Sequence, residues 1–66
     1  MNWDQVEGRW KEIKGKAIEK WGELTDDELD QAAGKREQMA GLIQKKYGDS
    51  KADAERKVDD WLRDIE

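Results

Sequence analysis

Cysteine and histidine are both absent from the chain. With them go disulfide cross-links, thiolate nucleophiles, the commonest general base and the usual zinc ligands. A chain without cysteine suits a reducing compartment, so the cytoplasm is the expected location. Proline is missing as well, and no helix is interrupted by a residue lacking its amide donor. Long hydrophobic runs are also lacking, the longest being pairs such as Ala17-Ile18 and Leu42-Ile43, and Met1 to Arg9 has no basic segment followed by an apolar one. Neither a membrane span nor a secretion signal is expected. There is no excess of positive charge: the net charge is -4 and the pI about 4.8. That balance opposes the counterion release on which nucleic-acid binding depends.

What is present suits one small helical domain spanning residues 1–66. Its 66 residues, 35% hydrophobic and 45% charged, give a mean hydropathy of -1.25. Such a composition lies between a compact domain and a solvated chain, and the stability expected is marginal. Trp3, Trp10, Trp21 and Trp61, with no phenylalanine, concentrate the apolar area in a few large side chains, which tips the balance toward folding.

Hydrophobic spacing follows threes and fours throughout, so helices are expected and strands are not. Trp3, Val6, Trp10, Ile13, Ala17 and Trp21 form one stripe, predicting a helix from Trp3 to Trp21 with Asn2 as N-cap and Gly22 as terminator. Thr25-Asp26-Asp27-Glu28 is a capping box, with Leu24 and Leu29 placed as a hydrophobic staple, so a second helix begins at Asp26. Met39, Leu42, Ile43 and Tyr47 keep helical spacing up to Gly48. The helix either stops at Gly34 or bends there and continues, and the stop is favoured. Ser50 caps a last helix carrying Ala54, Val58, Trp61, Leu62 and Ile65.

Sliding the chain by 26 residues superimposes Gly8-Arg9, Gly15 and Lys20-Trp21-Gly22 on Gly34-Lys35, Gly41 and Lys46-Tyr47-Gly48. A repeat of this kind predicts an all-α fold, a small four-helix array arranged as two packed helical hairpins. It also carries a tension, because Gly8 would lie inside a continuous helix while its counterpart Gly34 would end one.

The run Trp10-Lys11, Lys14-Gly15-Lys16, Trp21-Gly22, Leu24-Thr25-Asp26-Asp27, Gly34-Lys35, Gly41, Ile43-Gln44, Tyr47-Gly48, Ala54-Glu55, Val58 and Trp61 resembles the CsbD-like proteins. The resemblance covers nearly the whole chain. It implies a small four-helix array induced under general stress, with no established biochemical activity and no active-site residues to carry over.

Chemistry-bearing residues are correspondingly sparse. The single serine, Ser50, and the single tyrosine, Tyr47, fall at helix ends, and no nucleophile–base pair can be assembled, so the protein is not expected to be an enzyme. Asp26, Asp27, Glu28 and Asp30 are accounted for by the helix dipole; they match no calcium-loop pattern, and no metal or other cofactor is expected. The tryptophans could serve as base-stacking platforms, but sharing a stripe with Val6, Ile13 and Ala17 marks them as core. The basic residues of the first helix, which could favour a membrane surface, are nearly cancelled by Asp4, Glu7, Glu12 and Glu19.

Residues 23–30 are acidic and 35–46 mainly basic. Such a split would suit a basic partner or head-to-tail self-association, although acids at a helix start and bases at its end also suit the dipole. At about 100° per residue, Gly8, Gly15 and Gly41 fall opposite the apolar stripes, with Ile18 at the edge of the same face. Either another backbone, from the second hairpin or a partner, approaches there, or the glycines keep the helices weak. The candidate interaction surface comprises Gly8, Gly15, Ile18 and Gly41 with Asp26, Asp27 and Asp30. Two functions remain open: a folded protein-interaction module, or a loosely folded hydrophilic protectant acting under osmotic or dehydration stress.

Overall fold

Short polar side chains set the starts of three helices, those beginning at Trp3, Asp26 and Lys51. In a computed structural model that describes residues 1–65, five helices follow one another: α1 (Trp3–Gly8), α2 (Trp10–Lys20), α3 (Asp26–Ala32), α4 (Arg36–Tyr47) and α5 (Lys51–Asp64). No strand occurs among the described residues. Asn2 accepts from the Gln5 amide at 2.8 Å while the Gln5 side chain accepts from the Asn2 amide at 2.9 Å, so α1 opens on a full capping box. The expected box at α3 is formed: Thr25 Oγ1 accepts from Glu28 N at 3.2 Å and Glu28 Oε1 accepts from Thr25 N at 3.0 Å. Ser50 Oγ accepts from Asp53 N at 3.2 Å at the head of α5.

The helix expected to run unbroken from Trp3 is instead divided at Arg9, whose φ of -116° and ψ of 21° leave the helical region. This division makes five helices out of the four expected. The ends of α4 and α5 are joined by Gly48, Asp49 and Ser50, and the pair forms one hairpin, while α1, α2 and α3 each pack mainly against their neighbours in sequence. Gly22 does not close its helix through a positive φ: α2 ends on Trp21 in an extended conformation. Gly34 does mark a stop, with Ala33 at φ 54° and Gly34 at φ 76°, as does Gly48 at φ 72°.

The core draws on every helix. Val6, Trp10, Ile13, Ala17, Trp21, Leu24, Leu29, Ala32, Met39, Ala40, Ile43, Ala54, Val58, Trp61 and Leu62 are all buried, with no polar or charged residue buried among them. Burying one large apolar side chain contributes about 1.5–3 kcal/mol, so the stripe read from the sequence is the main source of stability. Trp10 is also the principal polar tie. Its Nε1 donates to the Leu29 carbonyl at 2.8 Å, the same oxygen that accepts from Ala33 N at 3.1 Å. An indole from α2 is thus the second donor to a carbonyl in the last turn of α3, using its remaining lone pair. Trp21 and Trp61 meet edge to face, with ring centroids 5.2 Å apart and planes at 60°.

Gly34 packs against the division at Arg9. A Cβ added there would lie 3.1 Å from Glu7 Cα, 3.3 Å from Glu7 N and 3.2 Å from the Trp10 ring. The corner between α3 and α4 therefore presses directly on the junction of α1 and α2, and only glycine allows that approach. Close approach is absent at Gly8, Gly15 and Gly41: an added Cβ would meet nothing within 4 Å at any of them. The expected contact of these three with another part of the same chain is thus not made.

Candidate functional site

The acidic start of α3 is the first place where titratable groups gather. Asp26, Asp27 and Asp30 are exposed, and each can place one carboxylate oxygen within 4.8 Å of the others. Lys14 of α2 reaches into the group, its Nζ lying 3.1 Å from Asp26 and 2.7 Å from Asp30. The hydrogen bond to Asp30, and then that to Asp26, hold the Lys14 ammonium above its ordinary pKa. A lysine thus occupies the position a cation would take. Glu28 is held below the ordinary carboxylate value first by the Thr25 backbone and next by Lys46, whose Nζ lies 3.0 Å away. Acidic and basic stretches are in large part neutralised within the molecule, while Asp27 has no ion pair among the described residues.

The remaining candidates are dispersed. Gly8, Gly15 and Gly41 stand on α1, α2 and α4 with open flanks, and Ile18 is 38% exposed. Asp26 and Asp30 converge on Lys14, but no such contact draws the glycines together. Ser50 is occupied in its cap. The Tyr47 hydroxyl accepts from Glu23 N at 3.3 Å.

Two features were not read from the sequence. Arg36 at the head of α4 forks onto Asp59 of α5, with Nε to Oδ1 at 2.8 Å and NH2 to Oδ2 at 2.9 Å, and its NH1 reaches Glu55 at 3.3 Å. The Arg36 hydrogen bond holds the Asp59 carboxyl below its ordinary pKa, with Trp3 acting in the same direction. Charge patterning hid this clamp, because its members are more than 18 residues apart and helical-wheel rules address only neighbours. The second feature is a cleft of about 310 Å³ lined by Lys20, Trp21, Tyr47, Lys57, Asp60, Trp61 and Asp64. One signal for it was available: Lys20-Trp21 and Lys46-Tyr47 are equivalent in the repeat, so aromatic residues close two corresponding helices.

Taken together, these features define a small all-helical protein whose charged groups are used mainly in caps and ion pairs. The chain belongs to the CsbD-like family of stress-response proteins, whose profile matches residues 4–56. It is 53% identical over 66 residues to UPF0337 protein NE2439 of Nitrosomonas europaea, covering 100% of this chain and 70% of that one. UPF0337 protein ECA0631 of Pectobacterium atrosepticum is 54% identical over 61 residues, and UPF0337 protein YjbJ of Escherichia coli 51% over 61; each match covers 92% of this chain and 88% of the relative. None of these names states an enzymatic activity, a ligand or a partner. No solved structure matches the chain. Among the described residues, no helix is long and apolar enough to cross a membrane.

Proposed function

We propose that this protein is a folded, non-enzymatic interaction module of the cytoplasmic stress response, working through its helical surface. The observation that carries this reading is the apolar core shared by five helices, with three helix starts fixed by side-chain caps and Trp10 tied to Leu29. A bulk protectant has no need of so specific an interior. The surface proposed for a partner, or for a second copy, draws on Gly8, Gly15, Gly41 and the exposed Ile18, with Asp26, Asp27 and Asp30 as the acidic element. Gly15 and Gly41, in mid-helix, each cost roughly 1 kcal/mol relative to alanine, and Gly8 ends α1. Nothing in the chain's own packing uses these three, whereas a partner helix could exploit the close approach they permit.

The test is affinity capture from stressed cells with the intact protein and with Gly15→Leu and Ile18→Asp, each first checked for an unchanged melting transition. A stoichiometric partner held by the intact protein and released by both variants supports the module. A gradual, non-cooperative melt with no partner retained would instead favour the hydrophilic protectant.

A further inference from the structure

The cleft at the ends of α2 and α4 has a composition that neither its helices nor its ion pairs require. Trp21 and Trp61 are fixed against one another and only 5% and 3% exposed, while Tyr47 is 41% exposed. The Tyr47 hydroxyl is tied to the backbone of Glu23, in the turn that follows Trp21. An aromatic ring is therefore held half open to solvent in a fixed position, which lowers the entropic cost of binding against it.

Around the rings stand two cations and two anions, and their existing partners distinguish them. Lys57 is committed to Asp49 at 2.6 Å, and Asp60 accepts from Arg63. Lys20 and Asp64 have no ion-pair partner among the described residues. An unspent cation and an unspent anion thus share the rim of one aromatic cleft. A ligand with a single charge would match one and leave the other idle, whereas a zwitterion would match both. The volume of about 310 Å³ is at the lower end of small-molecule sites, so the ligand is small.

The cationic end can be specified further. An unmodified ammonium carries three donors that all need acceptors, and with Asp60 engaged, Asp64 is the one carboxylate on this rim without an ion-pair partner. A methylated ammonium has fewer donors or none and is attracted to the face of a tyrosine ring, and Tyr47 is the open ring of this cleft. We propose that this cleft binds a small zwitterion with a methylated ammonium and a carboxylate, the ammonium against Tyr47 and Asp64 and the carboxylate at Lys20. This site is independent of the interaction surface proposed above.

Titrating isotope-labelled protein at constant ionic strength with glycine betaine, glycine, tetramethylammonium and acetate, followed by amide and indole chemical shifts, tests the proposal. Glycine betaine is expected to saturate, with shifts confined to Lys20, Trp21, Tyr47, Trp61 and Asp64 and their indole groups. The other three probes should bind more weakly. Tyr47→Leu, Asp64→Asn and Lys20→Gln should each raise the half-saturation concentration about two- to fivefold, while Tyr47→Phe keeps the ring and retains binding. The two rim variants alter exposed charges, so they remain informative if Tyr47→Leu disturbs the fold. Shifts that stay linear or scatter over the surface, glycine matching glycine betaine, or rim variants that bind unchanged would each overturn the proposal.

Discussion

The two glycine junctions, Gly8-Arg9 and Gly34-Lys35, are equivalent in sequence but opposite in structural role. At the second, Ala33 and Gly34 both take left-handed conformations, and the chain turns a true corner. For a residue with a Cβ that conformation costs about 1–2 kcal/mol, so Ala33 is held there by its surroundings, including the bond from its amide to Leu29. At the first junction no positive φ appears, and Arg9 N still donates to the Gln5 carbonyl at 3.0 Å. At that junction the backbone of Gly34 lies against Glu7 and the Trp10 ring. One glycine acts through its own torsion angles and its lack of a side chain, whereas the other sits beside a bend that it does not cause. A repeated motif therefore need not have a repeated cause.

Removing Trp10 tests what the two junctions share. Trp10→Ala deletes both the ring that packs on Gly34 and the donor to Leu29, and should cost about 3–5 kcal/mol, enough to unfold a domain of this size. A folded variant with near-native stability in a denaturant titration would show that the junctions do not depend on one another. Gly34→Ala is the sharper probe, since the methyl meets backbone at a positive φ, and a loss of about 2–3 kcal/mol is expected. Should thermal melting barely change, the corner must be able to relax away from Glu7. The helix starts differ in the same way: α3 has the Thr25 cap, whereas α2 begins at Arg9 with no side-chain cap. Thr25→Ala should cost about 1 kcal/mol, and equal stability would place the start of α3 elsewhere. The smallest effect has the opposite sign. Gly8→Ala adds a methyl in open space within a helix and should stabilise the isolated protein by about 0.5–1 kcal/mol; a loss would mean that this flank is occupied in solution.

The candidate sites were legible to different degrees. Asp26, Asp27 and Asp30 could be placed together because they fall within two turns of one helix, but their partner Lys14 could not be named, because it arrives from another element. Gly8, Gly15 and Gly41 were recognisable as unusual, yet whether anything approached them depended on packing. The aromatic cleft depends on Trp61, which is 14 residues beyond Tyr47 in sequence and meets Trp21 only across the folded core.

The sequence by itself determined the helical class, the Thr25 cap of α3, the stop at Gly48 and most of the core, though not Ala32 or Ala40. Those features depend on caps, torsion preferences and periodicity, which act within about two turns of helix. Tertiary structure alone decided the bend at Arg9, the extensive pairing of α4 with α5, the Arg36 clamp and the cleft at Trp21. Each of these requires groups distant in sequence to meet, and which of them meet is set by how the helices share one small core rather than by any local preference.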